Sequence, residues 1–269
     1  MPWFPEFGIA LQMAAEARSI KVTRDVIRSY VESVHSGTSA FKSEGIVLHD
    51  PRAGRVEGRE AFEDFVRSSA KWLEECQART EWVASTATRG RAVGELVVHL
   101  KIDGKDIGLP IAVVAEQKGD HPEFRVYYSQ WPLLGKHTVR PPILENTGIE
   151  PEGWPGKYHA ALTAGDADAI AEAFEPEGYF REPAGADFVY RGEELHPFFK
   201  MFFSVGGGIQ LEHCAITDDG TRCCLEYNAV QWGEVKMPPQ AGIGVYERGP
   251  SGKLRAARVY DDVEPPKFA

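Results

Sequence analysis

The chain has 269 residues, 43% hydrophobic, 26% charged and 11% aromatic, which is the composition of a globular protein with room for one large or two ordinary domains. A formal charge of −10, with no basic block to offset it locally, argues against nonspecific binding to nucleic acid or to an anionic membrane. The cysteines, Cys76, Cys214 and the adjacent pair Cys223-Cys224, form no CxxC, so disulfide and zinc readings are weak and a reduced, cytoplasmic setting is the default.

The opening Met1-Pro2-Trp3-Phe4-Pro5-Glu6-Phe7 has no basic n-region, and Glu16 and Arg18 soon interrupt the apolar stretch, so no signal peptide is expected. No run approaches the ~18 apolar residues of a membrane span. Residues 1–20 read as an N-terminal extension, a short helix clasped onto the body. Trp3, Phe4 and Phe7 either pack there or cover a pocket mouth. Val26, Ile27, Tyr30, Val31 and Val34 recur at helical spacing, and Gly37 follows as a stop. Ile46-Val47-Leu48 predicts a strand that ends at Asp50-Pro51. Gly58 opens a second helix with Phe62, Phe65, Val66 and Leu73 on one face. Strand-like runs follow at Thr80 to Thr86, Ala92 to Ile102, Ile111 to Ala115 and Phe124 to Tyr128.

Residues 132–156 carry Pro132, Pro141, Pro142, Pro151 and Pro155 with few periodic apolar positions, a linker signature. The pattern then repeats. Tyr158, Ala161 and Leu162 form a helix face, Gly165-Asp166 breaks and re-caps it, and Tyr179 to Glu182 is a strand ending at Pro183. Gly192 opens a helix striped by Leu195, Phe198, Phe199, Phe202 and Phe203. Strands follow at Ile209 to Ile216, Cys223 to Trp232, Gly242 to Glu247 and Leu254 to Asp261. Landmarks in the two passes stay 131 to 134 residues apart from Asp50 and Glu182 onward, and so long a period means domain duplication. The expected units are an extension at 1–20, a first domain at 21–138, a linker at 139–156 and a second domain at 157–269. Each domain is expected to be α+β, with helices on one face of a curved antiparallel sheet.

Each copy pairs an upstream tyrosine with a carboxylate at a strand end: Tyr158 with Glu182, and Tyr30 with Asp50. The run from Tyr158-His159-Ala160-Ala161-Leu162 through Glu182-Pro183 to Gly192 resembles the nuclear transport factor 2-like superfamily, within it the ketosteroid isomerase and SnoaL-like polyketide cyclase group. The resemblance implies a cone of curved sheet closed by helices around a deep apolar pocket. It implies Glu182 as general base and Tyr158 as hydrogen-bond donor to a developing oxyanion. The isomerases add a protonated aspartate on a late strand, but the matching stretch here, Pro239-Gln240-Ala241-Gly242-Ile243, holds no carboxylate. That tells against steroid isomerisation itself.

Proton abstraction beside a carbonyl needs a base lifted toward neutrality and a donor for the enolate oxygen, and burial in an apolar cone with a tyrosine hydroxyl supplies both. The bland alternative puts Glu182 in solvent or at a helix cap. Asp50 with Tyr30 is either a second site or a degenerate supporting copy. Its helix-to-strand segment is four residues shorter, which puts Tyr30's reach in question. Arg258 with Tyr260, and Arg125 with Tyr127, share a strand face. They either bind substrate in the pockets or cover the sheet surface. His213 and Asn228 are further candidates to line the second pocket.

The Gly206-Gly207-Gly208 run lacks the context of a phosphate loop, the His and Cys positions show no metal spacing, and no dinucleotide fingerprint is present. The expected activity is therefore a cofactor-independent isomerase, lyase, dehydratase or cyclase acting on an apolar small molecule. Two other readings compete. Epoxide opening needs a second carboxylate, which Glu212 or Glu226 would supply if turned inward. A non-catalytic binding module would be favoured by an inward salt bridge between Glu182 and Arg258. The two copies are expected to pair sheet to sheet within one chain, with further homo-oligomerisation open.

Overall fold

The structure is a computed structural model that describes residues 5–204 and 206–266. Trp3 and Phe4 lie outside the described residues, as does the side chain of Phe7. A single helix, α1 (Pro5–Ser36), replaces the expected separate short helix, and it ends at Gly37, whose φ of 71° a side chain would resist. Its inner part buries Ile27 and Tyr30, while residues 9–18 stand exposed, so that stretch is not clasped onto the body. Among the described residues no helix is long and apolar enough to cross a membrane.

The first unit continues with β1 (Val47–Asp50), β2 (Gly54–Glu57), α2 (Arg59–Glu75), β3 (Arg79–Thr88), β4 (Arg91–Ile102), β5 (Lys105–Lys118) and β6 (His121–Tyr127). A short helix α3 (Trp131–Leu134) leads into the linker. The second unit holds α4 (Gly153–Ala164), α5 (Ala167–Ala173), β7 (Phe174–Arg181), β8 (Val189–Arg191), a 3₁₀ turn at Gly192–Glu194, α6 (Leu195–Phe202), β9 (Ile209–Asp218), β10 (Arg222–Trp232), β11 (Val235–Arg248) and β12 (Leu254–Tyr260). The two six-stranded sheets have matching orders, β2-β1-β6-β5-β4-β3 and β8-β7-β12-β11-β10-β9. The expected antiparallel sheet is mixed, because β1 runs parallel to β6 and β7 to β12. The meanders β3–β6 and β9–β12 each bring their last strand beside the first strand of the unit, β1 or β7, in the same sense.

Strand alternation separates two faces. Ala92, Leu96 and Val98 of β4, with Phe124 and Val126 of β6, point into a core closed by Tyr30, Phe62 and Val66 from the helices. Cys223 and Leu225 of β10, with Tyr246 of β11, point into the corresponding core under Phe198 and Phe199. The opposite faces meet. Val93, Ala112, Val114 and Tyr127 of the first unit pack against Cys224, Ala241, Ile243, Val245 and Tyr260 of the second.

Two reciprocal ion pairs cross that interface. Arg125 donates from Nε to Glu226 Oε1 (2.6 Å) and from Nη2 to Oε2 (2.9 Å), and Tyr127 donates to the same carboxylate (2.8 Å). Arg258 donates from Nε and Nη2 to Glu95 (2.5 and 2.9 Å), and Tyr260 completes the set (2.7 Å). Burial alone would raise Glu95, but the charge and hydrogen bonds of Arg258 outweigh it and hold the carboxyl below its usual range. The linker lies across both sheets: Arg140 donates to the carbonyls of Val126 and His49, and its carbonyl accepts from Ala241 N.

Candidate active site

Between the inner face of the second sheet and its helices lies a cavity of about 220 Å³, lined mainly by apolar side chains together with Tyr158, Tyr246, Glu182, Asp261 and His137. Tyr158 sits on the buried face of α4 with Ala161 and Leu162, and burial raises its hydroxyl above the ordinary range. Its ring lies 5.2 Å from that of Tyr246. Glu182 follows β7 directly. Its backbone N–H donates to Phe188 O (3.0 Å), and Pro183 turns the chain, so the side chain enters the cavity at the sheet end. Desolvation raises the Glu182 carboxyl, against the opposing pull of the Tyr190 hydroxyl.

Asp261 is the second carboxylate in this cavity. Desolvation pushes it up to about 6, opposed by a hydrogen bond from the Tyr227 hydroxyl to Oδ2 (2.7 Å) and by the backbone N–H of Val263. Its place depends on the neighbouring strand. A Cβ on Gly242 of β11 would lie 2.6 Å from the Tyr227 ring and 2.8 Å from Asp261 Cβ. The stretch that lacks an acid therefore leaves the room into which the acid of the next strand fits.

The first unit has a smaller cavity, about 100 Å³, lined by Tyr30, Asp50, Arg52, Tyr128 and apolar residues. Tyr30 reaches it despite the shorter segment, its ring stacked 4.7 Å from Phe124. Asp50 Oδ1 is occupied by the backbone N–H groups of Arg52 and Ala53, both at 2.9 Å, in a turn. Tyr128, 133 positions before Asp261, stands where the second unit has its extra acid.

A family model described as SnoaL-like domain matches residues 156–256, the stretch that supplies Tyr158, Glu182 and Tyr246. The second unit is a SnoaL-like domain. The first unit repeats its strand order. No curated protein matches it. Among solved structures, a SnoaL-like protein of unknown function from Burkholderia thailandensis is similar at 17% identity, over 40% of this chain and 91% of that one, with a TM-score of 0.34. A protein of ketosteroid isomerase-like fold from Catenulispora acidiphila, in complex with trimethylamine, is 15% identical over 44% and 90%, with a TM-score of 0.35. An LEH-like epoxide hydrolase from M. tuberculosis is 19% identical over 42% and 82%, with a TM-score of 0.34. Similarity at this level carries no reaction over to this chain.

All six residues expected to bind substrate lie away from the two cavities. Arg125, Tyr127, Arg258 and Tyr260 share faces as expected, but that parity points away from the cavities into the inter-sheet clasps. The inward parity of the last strand is Ala257, Val259 and Asp261. Asn228 is also on the outer face, where its amide donates to Leu144 O (3.1 Å) and to Cys214 Sγ (3.3 Å). His213 does not line the SnoaL-like cavity; its Nε2 lies 3.3 Å from His159 Nδ1 and its Nδ1 3.4 Å from the Glu150 carboxylate. Burial pushes His159 down to about 3. Glu226 is spent in a clasp and Glu212 lies on the edge strand β9, so neither is the second carboxylate. Arg258 pairs with Glu95 and Glu247, so the arginine proposed for a silent binding module is engaged away from Glu182.

Proposed function

We propose that the SnoaL-like unit, within a domain at 157–269, is a cofactor-independent acid–base catalyst moving protons on an apolar small molecule, in the class of isomerases, lyases, dehydratases and cyclases. One observation carries the reading: Glu182 and Asp261, both lifted by desolvation, share one apolar cavity with buried tyrosines. Glu182 takes a proton from carbon beside a carbonyl. Tyr158 and protonated Asp261 donate to the oxygen on which charge develops, and Glu182 returns the proton elsewhere on the molecule. The Tyr227 hydroxyl fixes the orientation of Asp261.

The probe 5-nitrobenzisoxazole tests this without a known substrate. A base removes its C3–H, the N–O bond breaks, and the released 2-cyano-4-nitrophenolate is read by absorbance. Glu182→Gln is expected to lose roughly 100-fold or more of the turnover with the melting temperature unchanged. Retained turnover would remove Glu182 from its role. The paired carboxylates also favour epoxide opening as a second reading, one activating water and the other protonating the epoxide oxygen. Hydrolysis of styrene oxide that needs both Glu182 and Asp261 would select it.

A further inference from the structure

The acids and tyrosines of the SnoaL-like cavity come from its own helix and strands, but His137 comes from the segment joining the two units. It lines the same cavity as Asp261 and Glu182. Its Nδ1 lies 3.1 Å from Oδ1 of Asp262, a carboxylate only 4% exposed. Asp262 also accepts from Ser129 Oγ (2.5 Å) and from the backbone N–H of Thr138 (2.7 Å). An ionised carboxylate has no hydrogen to give, so the hydrogen in the contact is the ring's and Nδ1–H donates. In the neutral ring Nε2 is then the acceptor, and no protein group among the described residues occupies it. The Trp131 ring, stacked at 6.4 Å, backs the imidazole.

We propose that His137 is a catalytic proton carrier of the SnoaL-like cavity, supplied by the linker and oriented by Asp262 as its positioning residue. This rests on the acid–base reading above and deepens it in substrate class: an apolar molecule carrying a hydroxyl as well as the group that faces Tyr158 and Asp261. Nε2 takes the hydroxyl proton as the O–H bond breaks, which leaves an imidazolium beside the Asp262 carboxylate. The same proton then returns to an oxygen or carbon of the product and restores the neutral ring. No electron enters or leaves, and no co-reactant is needed. Ser129 follows β6 closely, so the end of the first unit helps to hold the dyad of the second. The tandem arrangement thereby contributes a residue to the chemistry.

Two measurements on the full chain test the proposal. Ring-nitrogen NMR of the 15N-labelled wild type is expected to show His137 as the Nδ1–H tautomer. The Nε2–H tautomer would overturn it, whatever the variants do. The second uses 4-nitrophenol as hydroxyl probe, its ionisation read from the phenolate band. Loss of a base partner shifts such an ionisation by about one unit or more, so His137→Ala should cut the bound phenolate-to-phenol ratio about tenfold, and added imidazole should restore it. An unaltered ratio in His137→Ala would overturn the proposal. If Glu182→Gln still abolished benzisoxazole turnover in that case, the acid–base reading would stand; if it did not, both would fall.

Discussion

Glu95 accepts three hydrogen bonds inside the sheet-to-sheet interface, two from Arg258 and one from Tyr260, and is 1% exposed. Glu95→Ala leaves Arg258 buried with Glu247 Oε2 at 3.3 Å and the Tyr179 hydroxyl at 3.0 Å, and orphans the Tyr260 hydroxyl. Breaking a buried pair from one side costs roughly 3–5 kcal/mol. Urea unfolding followed by circular dichroism should show a loss of that size. Glu226→Ala should cost less, because Arg125 keeps Glu116 and Glu123, each at 2.8 Å. Replacing both partners, Glu95→Leu with Arg258→Met, should recover most of the loss, since apolar residues of similar volume need no compensating charge. The sign with pH is fixed by the lowered Glu95 carboxyl. Its contribution is complete above the unfolded value of about 4.3 and fades as pH falls through the lower folded value. The gap between wild type and Glu95→Ala should therefore narrow in acid. A loss below about 1 kcal/mol, or a gap that widens in acid, would refute the reasoning.

Three further outcomes follow from the cavities. Asp261 rises from an unfolded value of about 3.9 to about 6, so its protonated form is favoured by folding. Wild-type stability should be fullest below about pH 4 on this account and fall by roughly 3 kcal/mol as pH rises past 6. Asp261→Asn should remove that decline from the difference curve, and parallel curves would contradict it. Gly242→Ala drives a methyl into Tyr227 and Asp261, which should cost about 1–3 kcal/mol and slow benzisoxazole turnover; a variant unchanged in both would show that the fit is loose. Asp50→Asn keeps the acceptor for Arg52 N and Ala53 N, so stability should move by less than about 0.5 kcal/mol and turnover not at all. A loss matching that of Glu182→Gln would shift the site to the first unit.

The duplication was legible because strand landmarks such as Arg125 and Arg258 recur at nearly constant separation. Tyr158 and Glu182 were legible for the same reason, as a helix and strand spacing that survives without long-range information. Which face of a strand is inside was not. Arg258-Val259-Tyr260-Asp261 alternates cleanly, but only the first unit's sheet, far away in sequence, turns Arg258 and Tyr260 outward and leaves Asp261 to the cavity. Asp261 also lay hidden beside Asp262, its neighbour of opposite direction. Strands β2 and β8 escaped notice because four and three residues are too few for a period of two to register. His137 carried no local signal at all. It is defined by Asp262, 125 residues away, and it came from a stretch whose prolines mark it as a mere connection.

The central claim is that one apolar cavity holds two carboxyls whose proton affinity is raised by burial. Carboxyl 13C NMR titration of the full chain measures this directly, with Glu182→Gln and Asp261→Asn assigning the two resonances. The account predicts Asp261 titrating near pH 6 and Glu182 above the ordinary glutamate value of about 4.3. Both groups titrating at ordinary carboxylate values would contradict it.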